Sequence, residues 1–267
     1  MQTTTSALKV ETERQDNVAI IRYFNPPLGY ISNRGASLVA AAIRENLADD
    51  DVRAIVLTGG SDEIFIRHAD VAQIARAARG LEDKPIETTA WLDAPFPNLM
   101  ALLDNAEKPV IAAINGICMG GGFEIALACT MRIIGADVDR IGLPEIRIDI
   151  FPGSGGTQRL KRLLGWQRAR LFALRGEVVA AAEALALGLV DEVAASPLDR
   201  AIKVAQGFAQ RNRNAVAAIL RVTRERDAKP GLDDEILAFA DLLGKDPTIA
   251  ARLEKFVEKG ERLDALT

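Results

Sequence analysis

Three consecutive glycines, Gly120, Gly121 and Gly122, join an apolar segment to a good helix-forming stretch, and few chain paths can accommodate that. Residues 109–114 are apolar and open on Pro109, so they read as a buried strand. Residues 124–128 favour a helix. The glycines therefore stand at a strand-to-helix turn, where the backbone can bend sharply and leave N–H groups bare at a helix N-terminus. Such amides can hold an oxyanion. Glu124 lies in the first turn of that helix, and a second acid, Glu145, follows at Pro144. Carboxylates beside bare amides make a catalytic arrangement.

Other side-chain chemistry is scarce. The chain of 267 residues has one histidine, His68, and two cysteines, Cys118 and Cys129, with no metal-ligand spacing. The cysteines lie in apolar surroundings and read as buried small hydrophobes of a reducing compartment. No metal or redox cofactor is implied. Apolar residues at 49% and charged residues at 26% suit a globular protein with a full core. The net charge of −4 argues against general nucleic-acid binding. Residues 109–123, the longest uncharged stretch, are too short and too glycine-rich to span a bilayer. The first 15 residues have no apolar core for secretion, and Glu11, Glu13 and Asp16 argue against a transit peptide, so the expected location is cytoplasmic.

Strand and helix signals alternate over the first three quarters, which indicates an α/β architecture. Strands are expected at 8–12, 18–24, 52–58, 109–114, 131–135 and 140–143. Helices are expected at 35–47, 70–78 and 98–106, and from residues 122, 154, 167 and 180. Beyond the shift at Ala194-Ala195-Ser196-Pro197 no strand signal survives. The expected division is thus an α/β core at 1–197 and a helical C-terminal region at 198–267, broken once at Lys229-Pro230-Gly231. Between residues 150 and 176 there is no acid, while Arg159, Lys161, Arg162, Arg168, Arg170 and Arg175 are all present. They read either as a solvated helix face making ion pairs or as an anion-attracting rim.

Three blocks of sequence resemble the crotonase (enoyl-CoA hydratase/isomerase) superfamily. The first runs from Lys108-Pro-Val-Ile-Ala-Ala-Ile-Asn-Gly116 through Gly120-Gly-Gly-Phe-Glu-Ile-Ala-Leu-Ala-Cys129. The second is Pro144-Glu145 with Pro152-Gly-Ser-Gly-Gly-Thr-Gln-Arg-Leu160, and the third is Ala182-Glu-Ala-Leu-Ala-Leu-Gly-Leu-Val190. Asn25-Pro26-Pro27 also looks like the family's early loop. A dinucleotide-binding reading of the glycines fails, because they are consecutive and no acid closes a ribose site.

The resemblance implies a ββα spiral core with a helical C-terminal oligomerisation region, a homotrimer or a dimer of trimers, and acyl-CoA substrates of fatty acid metabolism. Coenzyme A would be part of the substrate. It also implies an oxyanion hole formed by the N–H groups of Ala69 and Gly121. Members that hydrate enoyl-CoA carry acids at the positions of Glu124 and Glu145, so hydration is the expected reaction. One acid would activate water for attack at Cβ while the other delivers a proton to Cα. Isomerisation, hydrolysis or decarboxylation of a functionalised acyl-CoA is the alternative, and a non-catalytic RNA-binding or scaffold member is another.

The chain departs from the family pattern in three places. His68 replaces a glycine in the loop Phe65-Ile66-Arg67-His68-Ala69-Asp70, where a positive φ would carry some cost. The early loop reads Leu28-Gly29-Tyr30-Ile31-Ser32, and Tyr30 is expected to narrow the CoA channel. Asp149 stands where glycine is usual. The substrate-contacting set expected from these loops is Leu28, Tyr30, His68, Asp70 and Asp149, with Asp149 facing the pocket and favouring a polar acyl group.

Overall fold

The computed structural model describes residues 8–81, 88–224, 228–260 and 262–263. Its first part runs β1 (Lys9–Gln15), β2 (Val18–Phe24), α1 (Asn33–Ala48), β3 (Ala54–Gly59), β4 (Ile64–Ile66), α2 (Val71–Leu81), α3 (Thr88–Leu92) and α4 (Pro95–Asp104). The middle contains β5 (Val110–Ile114), β6 (Ile117–Met119), α5 (Gly121–Ala128), β7 (Met131–Gly135), β8 (Ile141–Gly142) and a 3-10 turn at Glu145–Ile148. Then follow α6 (Gly156–Leu164), α7 (Trp166–Arg175), β9 (Val178–Val179), α8 (Ala181–Leu187) and β10 (Glu192–Ala194). The last quarter is helical: α9 (Pro197–Ala209), α10 (Arg213–Val222), α11 (Ala228–Lys245) and α12 (Pro247–Glu258).

A six-stranded sheet has the order β1-β2-β3-β5-β7-β10, antiparallel only between β1 and β2. Parallel strands covered on both faces should read as continuous apolar runs, and β3 and β5 are buried at every position. Alternation divides their side chains between two cores. Ile21, Leu57, Ala112 and Ile114 point into the main core, towards α1, α4 and α5. Ile20, Val56, Ile111 and Ile133 point the other way and are covered by Ala201, Ile202 and Ala205 of α9.

The second sheet, β4-β6-β8-β9, consists of strands two or three residues long. It lies beside the glycine turn that the sequence singled out. Gly120 has φ +48°, and a Cβ on Gly122 would sit 1.9 Å from the carbonyl oxygen of Ile66. The turn is thus pressed directly against β4, and only glycine allows this approach.

A helix boundary falls beside Lys229-Pro230-Gly231, because α11 begins at Ala228 and holds these residues in its first turn. Proline is tolerated there, where its missing amide has no intrahelical partner. The tail is not broken only once, since α10 and α12 open on the N-caps Asn212 and Asp246, whose side chains accept from the amides that follow them. Nor does the tail's apolar content by itself call for a partner chain. Ile236 is buried within this chain, and Phe239 and Leu243 lie in a third core with Val71, Ala75, Leu253 and Phe256 of α2 and α12. Substituting Gly122 by alanine should destabilise the fold by about 3 kcal/mol or more, since backbone must move to admit the methyl group. A melting temperature lowered by roughly 10 °C checks this, and an unchanged one would show that α5 and β4 can separate at little cost.

Candidate active site

The glycine turn, the loop after β4, the 3-10 turn and α11 converge on one cavity of about 260 Å³. Ala69 and Gly121 lie on its wall. A Cβ built on Gly121 would be 3.2 Å from the Ala69 nitrogen, so the two residues adjoin across the cavity mouth. Neither amide is engaged in a backbone hydrogen bond among the described residues. Two adjacent unspent N–H donors can bind one developing oxyanion.

Glu124 and Glu145 both line this cavity and both are buried. Glu124 Oε1 accepts from the amides of Ser154 (2.8 Å) and Gly156 (2.9 Å) at the start of α6. Burial, then the charge of Glu235, raises its pKa to about 7, while those two amides and Arg159 act in the opposite direction. Glu145 begins the 3-10 turn with its Oε2 buried and without a hydrogen-bond partner among the described residues. Burial, then the charge of Glu124, holds its carboxyl well above the usual carboxylate range. The two acids therefore differ: Glu124 has donors that favour the anion, and Glu145 favours the proton.

The rest of the cavity is largely apolar, with Ile74, Trp91, Phe96, Phe151, Phe239 and Leu243 around its inner end. Asp70, Ser32, Asn33 and Gln73 lie on its polar side. Larger crevices open elsewhere, one of about 720 Å³ lined by Arg22, Asp62, Asn115 and Arg140, but it contains neither buried acid. Chemistry therefore points to the smaller cavity.

Of the expected contact residues, only Asp70 lies on the cavity wall. Leu28, Tyr30 and His68 do not line it, and Leu28 is exposed. The His68 ring is buried, stacks on Tyr30 with centroids 4.4 Å apart, and has Nδ1 2.7 Å from the Ala69 carbonyl oxygen. His68 is not among the residues with positive φ, so the histidine carries no backbone strain. Asp149 contradicts the expectation outright. Its carboxylate pairs with Arg252, its side chain is 44% exposed, and it does not line the cavity. Its φ of +63° explains why glycine is usual there: the residue is the left-handed cap of the 3-10 turn, a conformation Asp tolerates.

The basic cluster is mostly a solvated face. Lys161 bonds Gln158, Arg175 pairs with Glu177, and Arg170 lies over Trp166. Arg159 is the exception, buried and forked onto Asp104 with Nη1 donating to the Ser154 carbonyl oxygen at 2.8 Å. The cysteines are buried, and burial raises Cys118 well above its ordinary value and Cys129 to about 12. They remain thiols at neutral pH.

Sequence reasoning missed Glu235 on α11. It is buried, and its carboxylate accepts from the amides of Gly155, Thr157 (3.0 Å) and Gln158 (3.3 Å) and from the Thr157 hydroxyl. Burial raises its pKa, against the pull of these donors and Arg159. The available signal was an acid at helical spacing inside an apolar stripe, Leu232, Glu235, Ile236 and Phe239.

Comparison with known proteins places the chain in a family. Residues 13–262 match the family model described as enoyl-CoA hydratase/isomerase. The chain is 36% identical over 229 residues, 84% of its length, to the glyoxysomal fatty acid beta-oxidation multifunctional protein MFP-a of Brassica napus. It is 38% identical over 177 residues, 66% of its length, to the peroxisomal bifunctional enzyme of Danio rerio. The matched regions cover 30% and 23% of those longer proteins. Among solved structures, the enoyl-CoA hydratase of Bacillus halodurans superposes with a TM-score of 0.81 at 23% identity, covering 92% of this chain and 99% of that one. A carnitinyl-CoA dehydratase from Mycobacterium avium superposes with a TM-score of 0.77 at 28% identity, covering 92% and 95%. With this family match running through both acids, the glycine turn and the C-terminal helices, the chain belongs to the enoyl-CoA hydratase/isomerase family.

Proposed function

We propose that the protein hydrates 2-enoyl-CoA thioesters to 3-hydroxyacyl-CoA. The observation that carries this reading is the pair of buried acids with unlike environments facing one cavity beside two unspent amides. The thioester oxygen accepts from Ala69 and Gly121, whose fixed donors stabilise the enolate by about 3 kcal/mol each. Glu124, with the environment that better tolerates charge, takes a proton from water as its oxygen attacks Cβ. Glu145, the more strongly protonated acid, gives its proton to Cα. Water is thereby added across the double bond.

The apolar inner wall favours a hydrocarbon acyl group, since an unpaired polar group there would lose its hydration. The names of the curated relatives, which include fatty acid beta-oxidation, support the same substrate class. Another crotonase reaction is the competing reading, and crotonyl-CoA separates the two because hydration removes its conjugated absorbance. Among the described residues no helix is long and apolar enough to cross a membrane. Cytoplasmic location belongs to the proposal, as does self-association into a trimer or dimer of trimers.

Glu124→Gln and Glu145→Gln should each lower kcat/KM for crotonyl-CoA by about 100- to 10,000-fold, and the double variant should lose little more. The wild-type pH profile should be bell-shaped. It rises as Glu124 loses its proton near pH 7 and falls at higher pH as Glu145 loses its own, both limbs belonging to the coupled pair. Near-normal turnover in either variant removes that acid from the mechanism. Asp149→Gly should leave the kinetics with crotonyl-CoA unchanged, because the carboxylate is turned to Arg252; a change in chain preference would return it to the pocket. Light scattering at micromolar concentration should find an oligomer that covers the exposed Trp166, Leu174, Ile219 and Val222, and a stable monomer contradicts this.

A further inference from the structure

We propose that Glu235 is a positioning residue of this site, tying the helix that walls the acyl cavity to the turn that seats Glu124. The proposal rests on the assignment of Glu124 to the reaction. Its ground is an alternation at the start of α6. The amides of Ser154 and Gly156 donate to Glu124, while those of Gly155, Thr157 and Gln158 donate to Glu235. Two carboxylates from different parts of the chain thus share one run of backbone donors, and neither set can move without disturbing the other.

A helix cap of ordinary kind comes from the residue just before the helix. Glu235 is 80 residues away from Gly155 in the chain, on α11, and its neighbours Ile236, Phe239 and Leu243 line the cavity. One helix therefore carries both the clasp on the catalytic turn and part of the acyl wall. Docking of an acyl chain against Phe239 acts on the same rigid element that fixes the Glu124 seat.

The clasp also places a charge. Glu124 is faced by Glu145 from the 3-10 turn, by Glu235 from α11, and by Arg159 from α6, whose guanidinium is paired with Asp104 of α4. His68 packs behind the glycine turn against the same group of residues. Of these groups, Glu235 is the one whose charge pushes Glu124 towards its protonated form most strongly. Removing that charge while keeping the shape should ease ionisation of Glu124.

The test uses the 267-residue chain labelled with ¹³C at glutamate Cδ, titrated by NMR, with the Glu124 signal assigned by its loss in Glu124→Gln. In Glu235→Gln the Glu124 midpoint should fall by about one pH unit. The acid limb of kcat/KM for crotonyl-CoA should move to lower pH with it. Hydrogen exchange of the Ser154–Gln158 amides should accelerate about tenfold in Glu235→Ala, which removes the acceptor altogether. An unmoved Glu124 midpoint and unchanged exchange in folded variants would overturn the proposal. Failure of the wild-type protein to hydrate crotonyl-CoA, with the NMR shift intact, would instead overturn the assigned reaction and leave the clasp standing.

Discussion

The first turn of α6 is the joint on which this structure depends. A buried carboxylate is costly unless donors surround it, and the protein has to bury three in one region. The solution is a helix N-terminus whose unpaired amides and dipole favour negative charge. Five successive amides, from Ser154 to Gln158, are divided between Glu124 and Glu235. Arg159, in the same helix, adds a guanidinium anchored by Asp104. Glu145 is left out of this arrangement, and burial, then the charge of Glu124, keeps its proton on.

Close backbone approach is the second constraint. The glycine turn can present its amides beside Ala69 only because Gly122 lets α5 lie directly on β4. Gly142 plays the same part between β8 and the chain before β9, where a Cβ would lie 2.0 Å from the Glu177 carbonyl oxygen. The small sheet is thereby held tight against α5. Its strands are too short to be stable by themselves, and they persist as the scaffold of the two amide-bearing loops. Sheet, turn and the two adjacent amides are packed together.

Much of this was legible from residues. β3 and β5 are nearly continuous apolar runs, and burial on both faces is what such runs encode. The glycine triplet and Glu124 are neighbours in sequence, so their local geometry could be read directly. β4, β6 and β9 could not be found, because two or three residues show no period. Asp149 misled for an instructive reason: a departure from glycine suggested a function, whereas the position asks only for a left-handed backbone that Asp can adopt. The packing of α11 and α12 against α2 was equally hidden, because it joins segments far apart in the chain. Glu235 stood out only as an acid in an apolar stripe, and its partners were hidden because every donor it meets lies 77 to 80 residues away.

The distribution of the site along the chain also orders its assembly in time. Ala69, Gly121, Glu124, Glu145 and the amides of α6 all lie before Leu164, while Glu235, Phe239 and Leu243 come later in the chain, on α11. Synthesis runs from the N-terminus, and early segments can fold first. A nascent chain that has emerged only through α6 thus contains both acids but lacks the wall that excludes water and the charge that shifts Glu124. The environment that sets the two acids apart is thus complete only once α11 has docked.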